Sequence, residues 1–298
     1  MLLLLRNLSF HVGFKDMTSM QHLPVASRTR RAVGISRDST PNRVTMDLLN
    51  AVWNFSFGGD KDVAEGQKAL EQIQDLLVKA ITKYEGALHA LTREEIAPIK
   101  AICDQLFPAN CNALCVCLLA LQLKVPGTEG SGPERPKRVH YQHVYEDETF
   151  SIGIFILPPG ASIPLHDHPG MSVISRLLYG SLHVKSYDLV KDSTTSSGKK
   201  FTARLLVDEV VTAPHTTELL PDFGNLHELV GGDDIGCAFF DIITPPYDAN
   251  VGRDCTYFRV VDAKENSEKL VTLESYVPLD FDVATEAYHG PHLQRYVS

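Results

Sequence analysis

From residue 138 to residue 277 the chain is a succession of short β-rich segments separated by turn residues, and this texture limits the fold more than any other feature. The segments are Arg138–Tyr145, Phe150–Leu157, Ser172–Leu178, Leu182–Tyr187, Phe201–Leu206, Glu209–Ala213, Thr217–Leu220, Leu226–Val230, Gly236–Ile243, Thr256–Val261 and Leu270–Val277. Val, Ile, Thr and aromatic residues fill them, while Gly, Pro, Asp and Ser punctuate them. Many short strands at near-regular spacing pack as a sandwich or a barrel, since each must bury an apolar face against a facing sheet. Lys191–Lys200 reads as an exposed hairpin loop within that array.

The region ahead of the β-rich part has helical periodicity. Leu70, Ile73, Leu77, Ile81 and Tyr84 recur at helical spacing between Ala64 and Ala90. Thr92-x-x-Glu95 is a capping-box pattern that opens a second helix with Ile96, Ile99, Ile102 and Leu106 on one face. The apolar run Asn112–Leu123 suits a buried helix, and a Gly/Pro-rich linker, Lys124–Lys137, leads into the strands. Residues 1–60 show no sustained periodicity. The expected organisation is a flexible extension over 1–60 and one domain over 61–298, with a helical lead-in at 64–123.

Charge and composition exclude several classes of function. A formal net charge of -9 and a pI near 5.7 argue against a general nucleic-acid or membrane-surface binder, because neutralising phosphates takes basic surface. No apolar run approaches the roughly 18–20 residues of a membrane span. The basic residues Arg6, Lys15, Arg28, Arg30, Arg31, Arg37 and Arg43 outnumber the acidic ones in the first 43 positions. They trace no clean amphipathic face, so a plain extension is expected over an organellar transit segment. Six cysteines without a CxxC pair point to a reducing compartment, cytoplasmic or nuclear. Cys111, Cys115 and Cys117 could form a zinc knuckle, but inert buried thiols are the commoner state of free cysteine.

Two of the twelve histidines stand out by their surroundings. Gly160 is followed, after five intervening residues, by His166-Asp167-His168, and side chains two apart on a strand share one face. Both imidazoles can therefore point into a barrel and meet one metal ion. The stretch resembles the first motif of the cupin superfamily, Gly-x5-His-x-His followed by Glu and then Gly. The trailing glycine is Gly180, but the Glu position falls at Ser172 or Val173, so the carboxylate ligand is missing. Pro221-x-x-Gly224-Asn225-Leu226-His227 resembles the second cupin motif and supplies the third histidine. A site of three neutral imidazoles leaves a divalent metal with its full charge, which favours an anionic co-ligand such as a thiolate.

With their neighbours these residues resemble the family of plant cysteine oxidases and animal cysteamine dioxygenase. The resemblance is carried by FSIGIF (Phe150–Phe155), IPLHDHPGM (Ile163–Met171), LYGSLHVKSYD (Leu178–Asp188), GNLH (Gly224–His227), FDIITPPY (Phe240–Tyr247) and GRDCTYF (Gly252–Phe258). It covers about residues 65–293, with Tyr288-His-Gly-Pro near its end. The resemblance implies a mainly β, cupin-type double-stranded β-helix with an N-terminal helical segment. It implies Fe(II) held by His166, His168 and His227, with Asp241 and Tyr247 lining or supporting the site. It also places Cys255 and Tyr257 where the animal enzyme can form a thioether cross-link. The implied reaction inserts both atoms of O2 into the thiol of an N-terminal cysteine, yielding a sulfinic acid, in a monomeric enzyme that reports oxygen supply through protein degradation. Cysteamine is the alternative substrate. A cupin acting on a non-thiol substrate and a non-catalytic binding cupin are the rival readings; the first usually keeps the Glu ligand, and the second often loses a histidine.

Overall fold

The computed structural model describes residues 60–83, 88–108, 110–111, 138–190, 200–263 and 269–295. Among the described residues two helices, α1 (Asp60–Thr82) and α2 (Arg93–Cys103), precede eleven strands. These are β1 (Val139–Glu146), β2 (Ser151–Leu157), β3 (Ser162–His166), β4 (Ser172–Leu189), β5 (Lys200–Thr212) and β6 (His215–Leu219), then β7 (Leu226–Gly231), β8 (Cys237–Thr244), β9 (Tyr257–Ala263), β10 (Leu270–Tyr276) and β11 (Val283–Glu286).

The strands form two sheets that share β4. Its first half pairs with β8 and β6, extending a layer in the order β11-β1-β2-β8-β4. Its second half lies between β5 and β7, and the pairings β4–β5, β5–β10, β10–β9, β9–β3, β3–β7 and β7–β4 close on themselves. Among the described pairs only β1–β11 is parallel. This is the cupin-type barrel, a double-stranded β-helix.

Burial follows from what covers each face. β2 and β8 are buried along their whole lengths. On the outer face Ile152, Ile154, Ala238, Phe240 and Ile242 pack against Leu70, Ile73, Leu77, Ile96 and Ile99 of the helices. On the inner face Phe155, Leu157, Cys237 and Phe239 meet Ile163, Leu182 and Leu229 of the opposite sheet. Each such aliphatic or aromatic side chain contributes about 1.5–3 kcal/mol when fully buried, which is why neither strand shows polar alternation. The helical lead-in is therefore one wall of the barrel's outer core rather than a separate unit. Thr92 and Glu95 close the expected capping box at the start of α2.

Several element boundaries differ from the sequence reading. The first helix ends at Thr82, and Tyr84, the Cys115–Cys117 run, residues 1–59 and the loop at 191–199 lie outside the described residues. Ser172–Leu178 and Leu182–Tyr187 are one strand, since Gly180, at φ +76°, carries the chain through a bulge where a Cβ would lie 1.9 Å from the Gly236 carbonyl oxygen. Phe201–Leu206 and Glu209–Ala213 likewise merge into β5, and the segment expected at Thr217–Leu220 is β6, His215–Leu219. Among the described residues no helix is long and apolar enough to cross a membrane.

Candidate metal centre

The alternation of β7 places Leu226 in a cluster to which all six strands of the closed ring contribute, and Leu229 in the core shared with β2 and β8, so His227 faces the same side as Leu229, toward β2 and β8. His166, the last residue of β3, is its cross-strand partner. His168 lies beyond the strand, so the expectation that both first-motif histidines share one strand face does not hold. A hydrogen-bonded clasp sets its direction instead. The main-chain N–H of His168 donates to Asn225 Oδ1 at 3.1 Å, and Asn225 Nδ2 donates to the His168 carbonyl at 2.7 Å. The Nδ1–H of His168 donates to the Asn225 carbonyl at 3.1 Å, as that of His166 does to the Pro164 carbonyl at 2.8 Å. Because carbonyl oxygens only accept, each Nδ1 carries the proton and each Nε2 presents a bare lone pair.

The three imidazoles are 3–5% exposed, and their ligand atoms lie within 4.8 Å of one another. Nε2 of His166 and Nε2 of His227 are 3.2 Å apart. Two nitrogens each about 2.1 Å from a common ion at right angles would stand about 3 Å apart, so this set fits a metal ion. Burial pushes the imidazoles down, His166 to about 3, His168 to about 4 and His227 well below the usual histidine range. They are neutral at physiological pH, the state in which histidine binds metal. No carboxylate belongs to this cluster among the described residues.

The position where other cupins carry Glu is now fixed. Ser172 faces the helical layer, where its hydroxyl donates to the Thr244 carbonyl and accepts the Leu91 N–H. Val173 faces the barrel with Met171, Leu219, Ile243 and Tyr247. Of the two residues at the motif's Glu position, the barrel-facing one is therefore aliphatic.

The other expected site residues fall around the triad. Tyr247 is buried, its ring centroid 5.7 Å from that of His168, and its hydroxyl donates to the Asp167 carbonyl at 2.7 Å. It also lines a cavity of about 940 Å³ together with Glu146, Asp147, Glu148 and Asp248. Tyr257 is the cross-strand partner of His166, and its ring lies 6.1 Å from the imidazole. The Tyr257 hydroxyl is buried without a hydrogen-bond partner of ordinary geometry, although the Cys255 thiol lies beside it and beside Tyr247. Burial pushes that thiol up to about 11.

Asp241 is 6% exposed, and its carboxylate accepts a short hydrogen bond from Ser175. Burial pushes it up to about 7, against the lowering effect of that hydroxyl. It does not orient His166 or His168, whose Nδ1 atoms are held by main-chain carbonyls. Two residues that stabilise the site's loops had no assigned role in the sequence reading. Asn225 clasps His168, and Asp188 accepts the Gly224 N–H at 2.6 Å, fixing the turn before His227. Their positions within GNLH and SYD were the available signal.

Residues 118–293 match the family model PCO_ADO. The chain is similar to plant cysteine oxidase 2 of Arabidopsis thaliana, 35% identical over 218 residues, covering 68% of this chain and 75% of that protein. With plant cysteine oxidase 1 of the same plant it is 46% identical over 122 residues, 40% of this chain and 41% of that protein. With human 2-aminoethanethiol dioxygenase it is 30% identical over 266 residues, 78% of this chain and 87% of that protein.

Proposed function

Because the chain belongs to the PCO_ADO family of thiol dioxygenases, we propose that it is an Fe(II)-dependent enzyme that converts the N-terminal cysteine of a protein or peptide to cysteine sulfinic acid with O2. The observation that carries this reading is the buried triad His166, His168 and His227 without a carboxylate. Three neutral ligands would leave the charge of a divalent ion uncompensated, so an ion held there would favour a substrate thiolate as its further partner. Bound Fe(II) supplies the redox chemistry that lets O2 react with a thiolate.

The reaction balances without a further reductant: R–SH and O2 give R–SO2H, sulfur loses four electrons and O2 gains them. Asp241, held on the inner face of β8, receives the α-ammonium of the substrate. Tyr247 fixes the Asp167 carbonyl and so the turn that carries His168. Val173 keeps the ligand position dry and uncharged. In this reading the enzyme is a monomer of the cytoplasm or nucleus, and its product marks proteins for degradation when oxygen is plentiful.

The test is anaerobic reconstitution of the metal-free protein with Fe(II), followed by O2 and a peptide beginning with cysteine. Mass spectrometry should show a gain of two oxygen atoms on that cysteine. Oxidation of cysteamine without oxidation of the peptide would move the assignment to small aminothiols, and oxidation of neither would remove it.

A further inference from the structure

Asp241 sits in a row of four adjacent strands. On β8 it is the cross-strand partner of Gly153 on β2 and of Ser175 on β4. Its neighbours two residues away, Phe239 and Ile243, belong to the barrel core, as do Val173 and Leu177 on either side of Ser175. Asp241 and Ser175 therefore share the inner face at one level, and the Ser175 hydroxyl donates to Asp241 Oδ1.

The other flank is closed by a side chain from one strand further out. Tyr141 on β1 lays its ring over Gly153, where a Cβ would lie 2.3 Å from Tyr141 Cε2 and 2.7 Å from its hydroxyl oxygen. Any larger residue at 153 would expel the phenol. Phe155, 4.9 Å away centroid to centroid, supports that ring from the same face. The polar groups offered to Asp241 by its own sheet are thus Ser175 and Tyr141. Gly153 offers none, and Tyr141 is close enough for the Asp241 charge to act on its phenol.

We infer that Ser175 is a positioning residue of the thiol-oxidising site, holding the Asp241 carboxylate in one orientation while Tyr141, admitted by Gly153, blocks the opposite flank. The inference rests on the function proposed above, in which Asp241 meets the substrate amine. A hydroxyl donor favours the ionised form of a buried carboxylate, so Ser175 acts on both the direction and the charge of Asp241.

Two measurements on Ser175→Ala and Ser175→Thr test this. The first is a ¹³C NMR titration of Asp241 in the metal-free protein, with its signal assigned by its loss in Asp241→Asn. Ser175→Ala should raise the midpoint by about one pH unit, about tenfold in the acid constant, the scale of a hydrogen bond to a charged group, and Ser175→Thr should restore it. The second is the pH profile of kcat/KM for a cysteine-initiated peptide, whose acidic limb should move by the same amount, with KM changing more than kcat. An unshifted midpoint in a variant whose thermal stability has fallen would make Ser175 merely structural and overturn the inference. A shifted midpoint with an unmoved pH profile would also overturn it, because Ser175 would then act on Asp241 but not on the reaction. If the wild-type protein oxidises no thiol, the proposed function fails, while the NMR titration still decides whether Ser175 controls Asp241.

Discussion

Asn225→Ala separates the clasp from the ligand set it serves. Asn225 is 8% exposed, and its carboxamide pairs with both main-chain groups of His168, at 3.1 Å to the N–H and 2.7 Å to the carbonyl. Truncation leaves the buried His168 N–H without a partner, worth about 1–3 kcal/mol, while the His168 carbonyl keeps the Met171 N–H at 3.1 Å. The expected loss is about 2 kcal/mol, a fall in Tm of about 4–8 °C for a domain of this size. The metal should feel it too, since the turn that carries His168 loses its side-chain clasp and the imidazole keeps only the Nδ1–H bond to the main-chain carbonyl of residue 225. Removing a partner that orients a ligand typically costs about 10–100-fold in metal affinity. Thermal melts of the metal-free protein and anaerobic Fe(II) titration against a competing chelator read the two effects separately. A lowered Tm with metal affinity unchanged within about twofold would refute the claim that Asn225 aims His168.

Three further outcomes follow from the same geometry. His227→Ala should leave the fold intact and abolish stoichiometric Fe(II) binding, because two imidazoles remain of a buried three-imidazole set; metal analysis after anaerobic loading checks it. Val173→Glu should retain metal while weakening thiolate binding by at least about tenfold, since the added carboxylate competes for the charge that attracts the thiolate; KM for the peptide reads this. Thr92→Ala breaks the capping box of α2, whose Ile96 and Ile99 belong to the outer core, and should cost about 1 kcal/mol in denaturant unfolding with no change in metal affinity.

The three histidines were legible because motif spacing survives folding: Gly160, His166, His168, Gly180 and His227 keep their order whatever the strand boundaries do. Their convergence was legible for a partly wrong reason. Period-two alternation was expected to aim both first-motif imidazoles inward, yet β3 ends at His166, and the aim of His168 comes from Asn225, 57 residues away. Such a long-range hydrogen bond leaves no local pattern. The choice between Ser172 and Val173 was unreadable because a shift of one residue exchanges the faces of a strand. Only the anchoring of the Ser172 hydroxyl to Leu91 and Thr244 decides it. β11 was missed since four residues pairing in parallel with a strand about 140 positions earlier carry no turn signal of their own.

The charges of the site make a pH dependence whose sign can be worked out for the metal-free protein. His166, His168 and His227 are neutral when folded, held down to about 3, about 4 and well below the usual range, whereas the unfolded chain protonates them below about 6.5. As pH falls through that window the unfolded state binds protons the folded state refuses, so stability drops by about 1.4 kcal/mol per pH unit for each histidine. Asp241 and Asp167 oppose this. Burial raises them to about 7 and about 6, so below those values the folded state holds protons that unfolded aspartates release until about pH 4. Three histidines against two aspartates leave a net excess of about one proton on the unfolded chain between pH 6 and 4. Stability should therefore decline on acidification by about 1.4 kcal/mol per unit across that range. Asp241→Asn removes one opposing group and should steepen the decline toward about two protons, while raising Tm at pH 8, where the wild-type carboxylate is ionised and buried. Thermal melts at closely spaced pH values compare the two slopes, and a shallower acid dependence in Asp241→Asn would contradict a buried carboxyl that protonates near neutrality.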